Sequence, residues 1–293
     1  RLFADREAFE RLCAGLLPAG EMETIRLATL RRLDGGELPY EDAAAIAYLE
    51  ARVHGCRAYS NLRQVVVDEA QDLDPLHVTL LDVLFPNARF TVLGDVHQTL
   101  VGSADLSLYD DMRAALHKPS SLLVTLDKSF RCTREIWAFS AQFLPPGAAG
   151  ECFSRSGESP GVHSAPDRAA LDALLLEHAK QCRESGCESV ALLCKTQRDA
   201  TALYERLEGR ESLTLAGMGG RTGSSGITIA SLYMAKGLEF DAVLLCDVDA
   251  AHYHDEGDRN LLYIGCTRAL HILRLYYTGR ISPLITEKEG IGE

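Results

Sequence analysis

The stretch Gln64-Val65-Val66-Val67-Asp68-Glu69-Ala70-Gln71-Asp72 decides how this chain reads. Consecutive valines with no polar alternation predict a strand buried on both faces, the habit of parallel sheets in α/β proteins. Asp68 and Glu69 then fall at the carboxyl end of that strand, where open α/β sheets place their ligands. An Asp there can hold a hard cation through water, and a neighbouring Glu can orient an attacking water, which suits a magnesium-nucleotide site. A strand ending in a solvated acidic turn is the alternative reading.

Outward from this stretch, further strand signals lie at residues 89–93, 122–126, 189–194, 227–230, 242–246 and 272–276. Helical patterns fall between them at 75–84, 133–143, 167–184, 197–207 and 259–269. Strands alternating with helices of that length imply parallel sheets built from βαβ crossovers. Residues 1 to 60 read as helical, with the run Glu41-Asp42-Ala43-Ala44-Ala45-Ile46 opening on acids and continuing through good helix formers. Pro145-Pro146-Gly147 and residues 154–161 read as loops, and the Gly/Ser-rich 217–226 as a flexible connection.

The chain has 293 residues, 46% of them hydrophobic, enough for two domains with sizeable cores. Its nine cysteines are scattered, odd in number and without paired C-x-x-C spacing. That favours reduced thiols in a cytoplasmic protein over a disulfide framework or structural zinc. No apolar run approaches the length of a membrane span. The chain starts at Arg1 with no leader pattern, so the expectation is a fragment or a processed chain. A net charge of −12 argues against a generic nucleic-acid sponge, but not against a motor whose basic track is confined to one groove.

Further polar constellations recur at strand ends. Gly94-Asp95-Val96-His97-Gln98 closes the next strand, and its Gln can bond a phosphate or a water without adding charge. In Ser129-Phe130-Arg131-Cys132-Thr133 an Arg precedes a helix start, and its planar fork suits phosphate oxygens. Ser231-Leu232-Tyr233-Met234-Ala235-Lys236-Gly237-Leu238-Glu239-Phe240-Asp241 offers a Lys-Gly turn that lets backbone approach a ligand, and a Glu placed to accept from a ribose hydroxyl. Tyr263-Ile264-Gly265-Cys266-Thr267-Arg268-Ala269 puts another Arg on an otherwise apolar helix. Each has a plain alternative in a capped turn or a solvated surface arginine. The histidines and acids at His252, His254, Asp255 and Glu256 read as a solvated polar loop rather than a metal site, and Trp137 and Phe139 as core.

Taken in order, DEAQD, GD-x-x-Q, S-F-R, KGLEFD and Y-I-G-x-T-R-A resemble motifs II to VI of the UvrD/Rep-type superfamily 1 helicases, across residues 64–275. The segment 40–49 and the run from 236 to 271 are similar to the helicase IV/HelD branch, which includes RNA polymerase-associated recycling factors. The resemblance implies an α/β fold with two RecA-like (P-loop NTPase) parallel-sheet lobes, the first incomplete. A helical lead-in would occupy residues 1–62, the carboxyl half of lobe 1A 63–120, and lobe 2A 121–293. It implies an ATP-dependent helicase or translocase with ATP and Mg2+ as cofactors and nucleic acid, DNA first, as partner. RNA polymerase is a further partner in the HelD reading, either remodelled by the motor or docked by a non-hydrolytic interaction module.

The implied roles follow residue by residue. Asp68 would hold the magnesium, Glu69 would polarise the attacking water, and Gln98 would sense the terminal phosphate. Arg131 and Arg268 would be arginine fingers. Gln71, Gly237 and Glu239 would line the nucleotide, while Asp72 and Ser231 would couple it to the nucleic acid. The departures are as informative. The chain contains no G-x-x-x-x-G-K-[ST], so the phosphate-cradling loop is missing and the fragment alone is expected to be inactive. Thr99-Leu100-Val101 stands where relatives carry a stacking aromatic, Tyr233 replaces the usual His, and there is no room for a 2B insertion.

Overall fold

The computed structural model describes residues 2–16, 18–99, 105–118, 120–126, 128–152, 155–209, 213–217 and 226–285. The chain divides into two compact units, one comprising Arg1–Val66, Leu73–Thr91 and Asp111–Pro119, the other Val67–Asp72, Val92–Asp110 and Ser120–Glu293. Leu100, Val101, Asp127, Ser154 and residues 218–225, on which parts of the sequence reading fall, lie outside the described residues.

The first unit is mainly helical. Helix α1 (Arg6–Cys13) starts where the Asp5 side chain accepts from Ala8 N at 3.0 Å, an N-cap that satisfies one of the free amides of the first turn. Helices α2 (Ala19–Asp34) and α3 (Tyr40–His54) follow, and α3 packs against α4 (Pro75–Leu84). Helix α4 has a proline in its first turn and Asp74 accepting from the amides of Leu76 and His77. Strands β1 (Gln64–Val67) and β2 (Arg89–Val92) begin in this unit and form a two-stranded sheet, with Arg89 N donating to Arg63 O at 2.9 Å. The expectation that β1 is buried on both faces fails: its side chains alternate in exposure and Val66 is 63% exposed. Apolar composition predicts burial only where a second layer exists to cover the strand.

The second unit carries α5 (Ser107–Ala115) in part, short strands β3 (Lys128–Ser129) and β4 (Glu151–Cys152), helix α6 (Arg134–Ser140), and one large sheet. That sheet contains β5 (Gly161–Ala165), β6 (Ser189–Cys194), β7 (Leu213–Leu215), β8 (Gly226–Ser231), β9 (Phe240–Leu245) and β10 (Ala269–Thr278) in the order β5-β10-β9-β6-β8-β7. Every pairing in it is parallel. The crossovers include α7 (Arg168–Glu184), α8 (Gln197–Leu207), α9 (Leu232–Ala235) and α10 (Gly257–Cys266). Central β6 shows how sequence produces this: Val190, Ala191, Leu192 and Leu193 are all fully buried. Leu192 joins the core beneath α7 and α8, while Leu193 joins the opposite core with α6 and α10. Period-2 alternation between two apolar layers is what a doubly covered parallel strand requires. The starts of β6 and β9 are tied by Asp241, whose carboxylate accepts from Glu188 N, Ser189 N and Ser189 Oγ.

Two edge strands, β5 and β7, were not legible in the sequence, being short and carrying Gly, His, Ser and Thr among few apolar residues. Conversely, the strand expected at 122–126 does not form: Leu122 is 87% and Leu126 90% exposed, and no ladder partner lies beside them among the described residues. All nine cysteines are free. Among the described residues no helix is long and apolar enough to cross a membrane.

Gly265 lets α10 lie against β9: a Cβ there would stand 2.8 Å from Leu232 Cδ2 and 3.0 Å from Leu245 Cδ1. Gly265→Ala overpacks this core and is expected to cost about 1–3 kcal/mol, read as a lowered urea midpoint at unchanged slope. An unchanged midpoint refutes the packing account.

Candidate active site

All side chains of this site belong to the second unit. After β1 the chain turns through Asp68 and Glu69, and Glu69 adopts a left-handed backbone (φ 52°) that non-glycine residues rarely hold. Asp68 is exposed, and its Oδ1 accepts from Glu69 N at 2.8 Å. Gln71, 5% exposed, donates through Nε2 to Glu69 Oε2 at 2.7 Å and accepts from Asp95 N through Oε1 at 3.1 Å. The close approach depends on Gly94, where a Cβ would sit 2.4 Å from Gln71 Oε1 and 2.8 Å from the Tyr109 hydroxyl.

Asp95 then accepts from His97 N and, at 2.8 Å, from Gln98 Nε2. Gln98 Oε1 in turn accepts from Arg268 Nη2 at 2.6 Å. Arg268 is 1% exposed, makes no ion pair among the described residues, and also donates to the Ile264 and Leu238 carbonyls. Burial, and then the charge of Arg131, pull its pKa below the ordinary arginine value against the opposing pull of Glu69 and Glu239. The guanidinium is thus buried against neutral acceptors, with no carboxylate among the described residues to neutralise it.

Lys236 is the residue that sequence reasoning passed over. Its ammonium, 6% exposed, lies 2.5 Å from Asp72 Oδ2, 2.6 Å from Gln98 O and 3.6 Å from Glu69 Oε2. The signal was present, a single Lys before the left-handed Gly237 (φ 75°). Arg131 pairs with Glu239 at 2.6 Å. The structure therefore links Glu69, Gln71, Gln98 and Arg268 by hydrogen bonds through Asp95, and Asp72 to Glu69 and Gln98 through Lys236. Among the described residues Asp68 bonds only its neighbour Glu69, Gly237 follows Lys236 in the chain, and Arg131 and Glu239 are a pair coupled electrostatically to Arg268. Ser231 stands apart: it is 1% exposed, caps α9 by accepting from Met234 N, and donates to Gln197 Oε1 at 2.9 Å.

Asp68, Glu69 and Asp72 carry carboxylates of the kind that hold a hard divalent cation such as magnesium, but their oxygens do not converge on one point, so a cation there would draw on single carboxylates and water. Among the described residues, His254, Asp255 and Asp258 do bring ligand atoms together, but Asp258 is fully engaged. It pairs with Lys195 at 2.6 Å and accepts from the amides of His254 and Asp255, so it staples the loop. Trp137 and Phe139 pack against the core as expected, and Trp137 Nε1 donates to Gly150 O.

Residues 226–276 match the family model of the UvrD-like helicase C-terminal domain. This stretch is UvrD-like. It holds Ser231, Lys236, Gly237, Glu239 and Arg268. A solved structure described as the C-terminal domain of a possible DNA helicase from Lactobacillus plantarum WCFS1 is 29% identical, with a TM-score of 0.49, over 55% of this chain and 95% of that one. No curated protein matches.

The loop staple in the UvrD-like stretch gives a pH signature. Burial raises the Asp258 pKa, but the Lys195 hydrogen bond and the His254 and Asp255 amides outweigh it and leave it below the ordinary aspartate value. A carboxylate depressed in the folded state stabilises above its unfolded pKa, and that contribution is lost as pH falls through the folded value. Asp258→Asn is therefore expected to be less stable than the unsubstituted chain at pH near 7, with the gap closing below about pH 4. Urea titrations at several pH values read this directly, and a pH-independent gap contradicts it.

Proposed function

We propose that this chain is the carboxyl-terminal motor part of an ATP-dependent superfamily 1 helicase or translocase. The reading rests on one observation above others: the hydrogen-bonded connection from Glu69 through Gln71, Asp95 and Gln98 to a buried, carboxylate-free Arg268. Such a connection has a clear use in phosphoryl transfer. On this reading Glu69 orients the attacking water, Asp68 would hold a magnesium ion, which would supply charge neutralisation at the phosphates, and Arg268 stabilises charge developing on the transferred group. Gln98 stands between them and reports the terminal phosphate to both sides. Arg131 supplies a second guanidinium once Glu239 releases it, with Glu239 and Gly237 on the ribose side.

Lys236 sets the resting condition. Its ammonium sits among Glu69, Asp72 and the Gln98 carbonyl, where it competes electrostatically with a divalent cation. Loading the site requires that the lysine move or share these oxygens. The phosphate-cradling G-x-x-x-x-G-K-[ST] loop is not among the 293 residues and has to be supplied from outside them. Motion on nucleic acid, DNA first, is the proposed output, and remodelling of RNA polymerase is the HelD-type variant of it. Strand displacement on a tailed duplex against co-purification of RNA polymerase separates the two.

The expected result is background ATP turnover by this chain alone, and nucleic-acid-stimulated, magnesium-dependent turnover by the full-length gene product. In that product Glu69→Gln and Arg268→Ala are each expected to lower kcat by about 1,000-fold or more. Robust hydrolysis by the isolated chain, or retention of turnover by Arg268→Ala, overturns this assignment.

A further inference from the structure

Positive charge is concentrated in one part of the first unit. Residues 51–67 contain Arg52, Arg57 and Arg63 and no acid, and residues 83–94 contain Arg89 and no acid, in a chain of net charge −12. Pairing of β1 and β2 sets Arg63, just before β1, beside Arg89, the first residue of β2, with Arg89 N donating to Arg63 O at 2.9 Å. Arg63 and Arg89, both exposed, line one cleft together with Gln64 and Asn87. Neither arginine has a carboxylate partner among the described residues. Like charges opposed across neighbouring strands repel, so the pair is stable at low cost only where an anion or solvent screens it.

The walls of the cleft are fixed. Gln64 Nε2 donates to Thr91 Oγ1 at 2.8 Å, and Asn87 Nδ2 donates to Ser60 O at 3.0 Å, which holds the loop before β1 against the start of β2. Next to Ser60 stands Tyr59, 45% exposed, its ring supported by Phe85 at 5.3 Å between centroids. Two guanidinium forks without a carboxylate partner among the described residues, and a supported, exposed aromatic ring next in sequence to Ser60, which Asn87 ties to the cleft, form a combination that can hold a phosphodiester backbone and stack a base.

We propose that Arg63 and Arg89 grip the phosphates of a single-stranded nucleic acid, with Tyr59 as its stacking platform. This contact lies at the amino-terminal ends of β1 and β2, whereas Asp68 and Asp95 follow their carboxyl-terminal ends along the chain. It rests on the nucleic-acid partner proposed above and on none of the residues assigned to ATP chemistry. In an acidic chain it also confines the polyanion to one track, since binding elsewhere is opposed by the net charge.

The test is anisotropy of a labelled single-stranded oligothymidylate titrated with this chain between about 50 and about 200 mM salt. Arg63→Ala/Arg89→Ala is expected to weaken binding about tenfold or more at the low end, and to flatten the log K against log salt slope by about 1.4, or about 0.7 per phosphate released. Tyr59→Ala is expected to weaken binding by about tenfold with the slope unchanged. Arg11→Ala, an exposed arginine on α1, is expected to bind as the unsubstituted chain does. Thermal melts of each variant confirm that the fold persists. Unchanged affinity and slope in the double variant overturn the proposal while leaving the partner reading intact. Competition by polyglutamate equal to that by oligonucleotide overturns the phosphodiester assignment. No binding by the unsubstituted chain overturns both.

Discussion

A single line of hydrogen bonds, Glu69 to Gln71 to Asp95 to Gln98 to Arg268, is the constraint on which the candidate site depends. Each link has its donor on the Arg268 side and its acceptor on the Glu69 side, so the line is directional. A carboxylate can only accept and a guanidinium can only donate, and each glutamine amide between them does one of each. Exchange of either glutamine for glutamate sets acceptor against acceptor, at the cost of an unsatisfied buried group. The line also dictates a backbone requirement, because only a glycine at position 94 leaves room for the Gln71 carbonyl.

The large parallel sheet holds the arginine end of this line in place. Arg268 immediately precedes β10, and its carbonyl accepts from Phe240 N at the start of β9. The guanidinium is therefore tied to the start of an interior strand of a sheet packed on both faces. Preorganisation of this kind is what makes a buried charge useful, since little reorganisation remains when an anion arrives. Opposing it, Lys236 holds Asp72, Glu69 and the Gln98 carbonyl together as an internal counter-ion.

Much of this was legible in the sequence. The boundaries of β6, α4 and α8 follow directly from apolar runs and capping residues such as Thr196, whose capping box with Asp199 opens α8. Most of the proposed site residues were marked by acids, amides and arginines at strand ends. What was not legible depended on partners remote in sequence. Lys236 reads as an ordinary turn lysine until the acids it meets are in place. Ser231 reads as a ligand-facing hydroxyl until its burial and its capping bond are seen. The short edge strands β5 and β7 owe their pairing to β10 and β8 rather than to their own composition.

The uncovered run at residues 122–126, Leu-Leu-Val-Thr-Leu, has a consequence for the behaviour of the material itself. It is uncharged, free of proline and rich in strand-favouring side chains, with Leu123 54% and Val124 66% exposed alongside their leucine neighbours. Segments of that composition with unoccupied backbone groups template pairing with copies of themselves. At high concentration such a run favours self-association, against which the net charge of −12 supplies long-range repulsion. Added salt, by screening that repulsion, brings the sticky segments of neighbouring molecules within reach of one another.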